Sequence, residues 1–356
     1  MKILGTEHKL NIAFHTNQIC LLGTEVSLFD YADFCEKFYG HKSIVISKKN
    51  RIKDDASSNV NQPLALKKFR ARFPLYLYDD ISDIDKILRK EKIDVFYAQK
   101  RGDVDGIESS IVKTVIHTVF KYYEPHGSVY AYISKWLSDV MTNGSSPYVP
   151  YMINLPRVKG NLRERLQIPN DAIVFGRYGG MDSFDLNFVH ELIIKTVVDN
   201  KNIHFILMNT RNFLNSNNNS FLERIRSKIN PKFHPQIHFL PPTSSSEYKS
   251  QFINSCNAML HARSRGETFG AAIGEFSIHN CPVITYAGAG SKKFENNHLA
   301  LLDEKCFKYN NSEELGNILE DFRHHKDDFC KMDWDAYSTE YSPKAVMDKF
   351  NNVFLK

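Results

Sequence analysis

The chain has 356 residues, 42% of them hydrophobic and 24% charged, which is enough for two or three domains that each bury a core. No stretch reaches the ~18 uninterrupted apolar residues of a membrane span, and the first residues lack the apolar core of a signal peptide, so a soluble cytoplasmic protein is expected. The net charge of +5 suits phosphorylated ligands, an anionic membrane face or nucleic acid without singling out any of them, and six scattered cysteines with no Cys-x-x-Cys pair exclude a disulfide framework and a zinc finger.

Asn11–His15 reads as a strand, followed by a loop with Gly23, Thr24 and Glu25 and by a helix with Val26, Phe29, Tyr31, Phe34 and Phe38 on one face. That helix ends near Gly40 and leads into a strand at 43–47, the opening βαβ unit of a nucleotide-binding-like domain. Thr24 and Glu25 either cap the helix or hydrogen-bond a ligand. Basic clusters at Lys48–Lys53 and Lys67–Arg72 form a solvated face or a patch. A strand at 76–78, a helix at 81–92 and a strand at 93–98 follow. Next comes a loop rich in charge and glycine, with Lys100, Arg101, Gly102 and Asp105, read either as an acceptor-side loop or as a polar turn. His117 lies in the apolar strand 113–120, where a histidine is usually a satisfied core residue. The stretch 131–136 is read as the end of a further strand, closing at Ser134, and the start of the last helix of the first domain.

A composition shift at 148–156 marks a domain boundary, and a short helix is expected at 161–166. The second half opens with a strand at 172–178 whose end, Gly176-Arg177, offers a guanidinium fork to phosphate oxygens. A helix at 188–198 and a strand at 203–208 complete a repeat, with Asn209 at its carboxyl end; the Asn-rich run Asn215–Asn219 is expected as a surface loop. A strand at 237–240 and a helix at 246–256 lead to Leu260–Gly290. This stretch is read as an apolar strand, a polar loop with Arg263, Arg265 and Glu267, a helix from about Thr268, and the strand 283–286. Thr268 is expected to cap that helix, and Gly270 to let a ligand approach the backbone. A helix N-terminus of this kind suits a phosphate, and a carboxylate on either side of it (Glu267, Glu275) suits the hydroxyls of a nucleotide sugar. An edge strand at 300–302, a capped helix from 312 and a helix from 343 to 354 finish the chain.

The run Glu267-Thr268-Phe269-Gly270, then Glu275, then Asn280-Cys281-Pro282-Val283-Ile284 resembles the signature of retaining, family-4-like glycosyltransferases of the GT-B fold, with seven residues between the glutamates. Asn280 stands where that family usually has glycine. The resemblance implies an α/β GT-B architecture: two Rossmann-like domains facing a central cleft, at 1–155 and 156–337, with a C-terminal helix at about 338–356 crossing back to the first. It further implies transfer of a sugar from a UDP- or GDP-sugar to a carbohydrate or lipid-linked glycan acceptor, with retention, with no metal and no other cofactor. In that scheme Glu267 and His117 meet the transferred sugar, Glu275 the ribose, and Gly23, Gly176, Arg177, Asn209, Arg263, Arg265, Thr268, Phe269 and Gly270 the donor. Lys100, Arg101, Gly102 and Asp105 face the acceptor. The family's lysine about five residues after the arginine is replaced here by Met181–Asp185, so Arg263, Arg265 or Lys292 has to supply the second cation.

Three rivals follow from the same residues. A metal-dependent GT-A transferase needs an Asp-x-Asp, and the chain has three such strings, at Asp83, Asp103 and Asp333. A nucleotide-sugar epimerase shares the two-domain shape, and a non-catalytic nucleotide-sugar-binding relative would explain the missing lysine. A DNA-modifying transferase of this fold is the least favoured reading, and a peripheral contact with an anionic membrane stays open. A Rossmann dehydrogenase is excluded because Gly23 is not part of a Gly-x-Gly-x-x-Gly.

Overall fold

The computed structural model describes residues 9–54, 59–215, 234–291 and 293–356. Most of the expected loop at Asn215–Asn219, and Lys292, lie outside them. The chain divides into two units, Met1–Met152 with Thr339–Lys356, and Ile153–Ser338.

The first unit contains β1 (Asn11–Thr16), α1 (Gly23–Tyr39), β2 (Lys42–Lys48), β3 (Arg51–Ile52), β4 (Val60–Asn61), α2 (Pro63–Arg72), β5 (Leu75–Tyr78), α3 (Asp83–Lys90), β6 (Val95–Lys100), β7 (Lys113–Thr118), β8 (Val129–Tyr132) and α4 (Lys135–Thr142). Six of these strands form one parallel sheet in the order β5-β2-β1-β6-β7-β8. β6 is buried along its whole length, as a strand of a sheet covered on both faces must be. Gly40 closes α1 at φ 70°, its amide donating to the carbonyls of Cys35 and Glu36. The basic cluster Lys67–Arg72 belongs to α2, whose Ala65, Leu66 and Phe69 are buried and whose first turn starts at Pro63.

The second unit repeats the plan with β9 (Ile173–Tyr178), α5 (Asn187–Asp199), β10 (Ile203–Met208), β11 (Ile237–Leu240), α6 (Ser246–Asn254), β12 (Ala258–His261), β13 (Gly266–Glu267), α7 (Ala271–Ile278), β14 (Val283–Tyr286), β15 (Glu295–Asn296), α8 (Asn297–Leu302), β16 (Cys306–Tyr309) and α9 (Ser312–Phe329). Its sheet is parallel in the order β11-β10-β9-β12-β14-β16, and β13 pairs with β15 beside it. Both sheets are doubly wound, with the chain reversing direction of growth between β1 and β6 and between β9 and β12.

Three expectations need correcting. Residues 300–302 belong to α8, and the edge strand is β16, whose polar, partly exposed residues dilute the apolar signal. Residues 161–166 form turns, tied down by Ser255 and by the carbonyls that Arg163 collects. The helix after Glu267 starts at Ala271, because Gly270 at φ 82° occupies its N-cap position.

The chain's last helix, α10 (Pro343–Phe350), and the turn after it return to the first unit. There Phe350 lies 5.4 Å from the Tyr97 ring and Phe354 lies 5.1 Å from the His117 ring. Among the described residues no helix is long and apolar enough to cross a membrane.

Candidate functional site

The carboxyl ends of β9 and β12, neighbours at the switch in strand order, are where a doubly wound sheet presents ligand-binding residues. Both ends are charged in the second unit. Arg177 is only 3% exposed. Its Nη1 donates to Asn209 O at 3.1 Å and Thr210 Oγ1 at 2.6 Å, and its Nη2 to Gly180 O at 2.7 Å and Ser183 Oγ at 2.6 Å. Burial pulls its pKa down to about 10; the charge of Glu267 opposes that shift and Arg263 adds to it. Arg177 therefore stays protonated at neutral pH, and these four neutral oxygens orient its charge without cancelling it.

Glu267 accepts from Arg263 Nη1 at 2.6 Å and lies 3.5 Å from His261 Nε2, a separation long for a hydrogen bond, so that this contact is chiefly electrostatic. Burial alone would raise its pKa, but His261 and Arg263 outweigh burial and bring it to about 2. The result is an ionised carboxylate that keeps 21% of its side chain exposed, beside an arginine that keeps 30%.

The local sequence builds this loop. At Gly266, φ is +74°, and a Cβ would collide with the Glu295 carbonyl and come within 2.8 Å of the Phe294 ring, so only glycine lets β13 pair with β15. Asp185 accepts from Ser264 N at 2.7 Å and Ser264 Oγ at 2.6 Å, while its own amide donates to Ala262 O at 3.1 Å. Arg265 meets Glu295 Oε1 at 3.1 Å with its side chain largely exposed. The Thr268 carbonyl accepts from Asn297 Nδ2 at 2.7 Å. Thr268 is not the helix cap, since no side chain caps the first turn of α7.

Glu275, on α7, accepts from Tyr178 Oη at 2.6 Å and from Lys249 Nζ at 3.3 Å. Arg177 and Tyr178 are successive residues of β9 and point to opposite sides of it. The strand thus addresses the two glutamates from different sides, Glu267 through the field of Arg177 and Glu275 through a hydrogen bond from Tyr178.

Other expected donor residues have structural duties. At Gly176 a Cβ would run into Cys256 Sγ and come within 3.1 Å of Phe252, which is reason enough for glycine in the packing of the sheet. Asn209, at φ 52°, uses its amide group to hold Gly179 O at 2.8 Å. The Phe269 ring is buried edge-on to Tyr337.

In the first unit, His117 is fully buried. Its Nδ1 accepts from Tyr97 Oη at 2.5 Å, and its Nε2 donates to Val149 O at 2.9 Å and Tyr132 O at 3.2 Å. Burial lowers its pKa to about 4, so the ring is neutral and neither nitrogen is left for a sugar. Lys100 is equally buried, its ammonium ion-paired with Asp105 and 3.1 Å from His126 Nε2. Arg101 pairs with Asp103 at 3.0 Å and lies over the Tyr122 ring, and Gly102, at φ 115°, leaves no room for a Cβ beside Thr118. The loop from Lys100 to Asp105, for which an acceptor-side role and a polar turn are both expected, is therefore largely bonded to itself. Gly23, at the start of α1, has open space where a Cβ would stand. The Asp-x-Asp strings are also engaged: Asp83 with Lys86, Asp85 with Ser109, Asp103 with Arg101, Asp105 with Lys100, and Asp333 with Lys305.

The structure thus gathers Arg177, Arg263 and Glu267 on one side of β9 and adds Asp185 and His261 there, while Tyr178 and Lys249 hold Glu275 on the other side; sequence reasoning missed these four added residues. Asp185 stood in the segment that lacks the lysine and His261 in the Leu260–Gly290 stretch, but neither was read as part of the site; Tyr178 and Lys249 meet Glu275 across sequence separations that leave no local pattern.

No family model and no curated sequence matches the chain. Solved structures do. HepE from Anabaena, in complex with UDP-glucose, superposes with a TM-score of 0.70 at 12% identity over 96% of this chain and 98% of that one. Sucrose-phosphate synthase from Thermosynechococcus elongatus gives 0.66 at 11% identity over 98% of both chains. A Listeria monocytogenes protein described as a UDP-N-acetylglucosamine 2-epimerase gives 0.59 at 10% identity, over 98% of this chain and 97% of that one. Likeness at such identities speaks to architecture, and with two doubly wound six-stranded units the chain has the GT-B α/β fold of glycosyltransferases.

Proposed function

We propose that the protein is a glycosyltransferase that takes a sugar from a UDP- or GDP-sugar and passes it to a carbohydrate or glycoconjugate, with retention of anomeric configuration and without a metal. One observation carries this reading. A buried, protonated Arg177, held by neutral oxygens, stands with Arg263 and an ionised Glu267 at the switch point of the second unit. Two cations neutralise the charge that develops on a departing nucleoside diphosphate, and the uncapped first turn of α7 adds backbone N–H groups. Arg263 takes the place of the family's missing lysine. Glu267 receives hydroxyls of the transferred sugar and Glu275 those of the ribose, displacing Tyr178 or Lys249. UDP-glucose bound to HepE supports the donor class. The acceptor falls to the first unit, where His117, with both nitrogens occupied, acts as a framework residue.

The test is a thermal-shift and turnover screen with UDP-glucose, UDP-N-acetylglucosamine and GDP-mannose. A donor at 100 times its Kd adds about 2.7 kcal/mol of apparent stability. With a glycan acceptor, transfer should persist in EDTA and Glu267→Ala should lower it by about a hundredfold or more. Failure of every nucleotide sugar to stabilise the protein overturns the proposal. The GT-B likeness to the Listeria protein keeps a second reading in view: epimerisation, which would appear as donor turnover with no acceptor present.

A further inference from the structure

Behind Glu267, three side chains form a line through the interior of the second unit: His261 at the end of β12, Thr285 on β14 and His298 on α8, all buried. His261 Nε2 lies 3.5 Å from Glu267 Oε1, His261 Nδ1 lies 2.9 Å from Thr285 Oγ1, and Thr285 Oγ1 lies 3.1 Å from His298 Nε2. The two imidazoles meet edge to face, with ring centroids 5.1 Å apart. We propose that Thr285 is a positioning residue: by donating its hydroxyl proton to His261 Nδ1 it sets the tautomer in which His261 Nε2–H faces the Glu267 carboxylate. The inference rests on the reading of Glu267 as the group that meets the transferred sugar.

Hydrogen bookkeeping supports one direction. The Thr285 hydroxyl has a single proton and three acceptors within reach, His261 Nδ1 at 2.9 Å, His298 Nε2 at 3.1 Å and Tyr286 O at 3.4 Å, and the nearest of them, His261 Nδ1, takes it. In one arrangement His298 Nε2–H donates to Thr285, Thr285 donates to His261 Nδ1, and His261 presents Nε2–H to Glu267. Reversing every bond leaves a bare nitrogen lone pair 3.5 Å from an ionised carboxylate, with no proton between two acceptors. Because the carboxylate is ionised and His261 Nε2 is buried with no hydrogen-bond partner among the described residues, the first arrangement, which puts a proton between the two acceptors, is favoured. Burial lowers the pKa of His298 to about 3, so that ring holds one proton, which this arrangement places on Nε2 facing Thr285. Arg263 holds the other carboxylate oxygen, Oε2, at 2.6 Å. Glu267 is then gripped at both oxygens, by a charge from the surface side and by an oriented N–H from within. A side chain that must meet sugar hydroxyls in one geometry needs such double support.

Two variants of the full-length protein and one spectroscopic measurement test this. Thr285→Val keeps the shape of the side chain and removes the hydroxyl; it should lower kcat by about tenfold with donor KM changed by less than about threefold. Thr285→Ser restores the donor and should recover kcat to within about threefold of the parent. Nitrogen NMR of histidine-labelled protein, which needs no substrate, should show neutral His261 protonated at Nε2 in the parent and a changed His261 signal in Thr285→Val. Equal kcat in the Val and Ser variants, or a parent His261 that is protonated at Nδ1 or at both nitrogens, overturns the proposal. A parent that turns over no nucleotide sugar sinks the glycosyltransferase reading instead, and the NMR measurement still decides the tautomer.

Discussion

Glu25 is a buried acid in the first turn of α1, accepting from Thr16 Oγ1 at 3.2 Å and Cys20 Sγ at 3.0 Å. A helix N-terminus favours a carboxylate by at most ~2 kcal/mol, which is less than the desolvation it suffers here. Burial accordingly raises its pKa to about 7 from 4.5. Because the folded value is the higher one, the fold favours the protonated form. No penalty exists below the unfolded pKa, and destabilisation grows as pH rises from 4.5 and levels off above 7 at about 3 kcal/mol. Glu25→Gln should match the parent in urea unfolding at pH 4 and exceed it by about 2–3 kcal/mol at pH 8; parallel pH profiles for the two proteins would refute this account. Gly176 offers a second single-residue test, of packing instead of charge. Gly176→Ala should cost about 1–3 kcal/mol by forcing a methyl against Cys256 and Phe252. Adding Cys256→Ala should recover part of that loss, a coupling that a purely ligand-binding glycine would not show in the absence of ligand.

At the scale of elements, the segment from the end of β12 to the start of α7 is held from outside itself. Asp185 fixes Ser264 with two hydrogen bonds and Asn297 fixes the Thr268 carbonyl. Asp185→Ala frees the loop that presents Arg263 and Glu267, so the proposed sugar transfer should fall by tenfold or more while the midpoint of thermal unfolding moves by only a few degrees, as circular dichroism would report. A large loss of stability with unaltered turnover would show that Asp185 serves the fold and not the loop. The same segment shows what a reader of sequence can and cannot see. Strands buried on both faces announce themselves as apolar runs, and β10 and β14 lie where the pattern puts them. The edge strand β16 and helix α2 escape notice because half of each faces water. Glu267 and Arg263 stand out because their chemistry is written in adjacent letters. Asp185 and Tyr178 do not, since each takes its role from a partner far along the chain that only the fold brings close. His117 and Lys100 mislead for the complementary reason: a residue type suited to chemistry looks the same in sequence when its polar atoms are spent on neighbours.

The two units of the whole molecule are unequal in continuity. The second runs without interruption from Ile153 to Ser338 around its own core, of which Phe175, Phe205, Leu207, Ile284 and Phe322 are members. The first needs both ends of the chain, because Phe350 and Phe354 are fully buried against Phe14, Tyr97 and His117. Removing a buried phenylalanine side chain costs about 3–5 kcal/mol, so loss of both approaches or exceeds the 5–15 kcal/mol that typically stabilises a domain. A chain that stops at Ser338 should therefore lose the protection of the β1 and β6 amides in hydrogen exchange while keeping that of β9 and β12. On the proposed function, the fragment 153–338, expressed alone, should unfold cooperatively and be stabilised by the same nucleotide sugar as the intact protein, yet transfer nothing, because that reading gives the acceptor to the other unit. Protection of β1 and β6 that survives truncation would show that the returning helix is dispensable to the first unit. A folded 153–338 fragment that ignores a donor bound by the whole chain would show that the second unit does not hold the donor by itself.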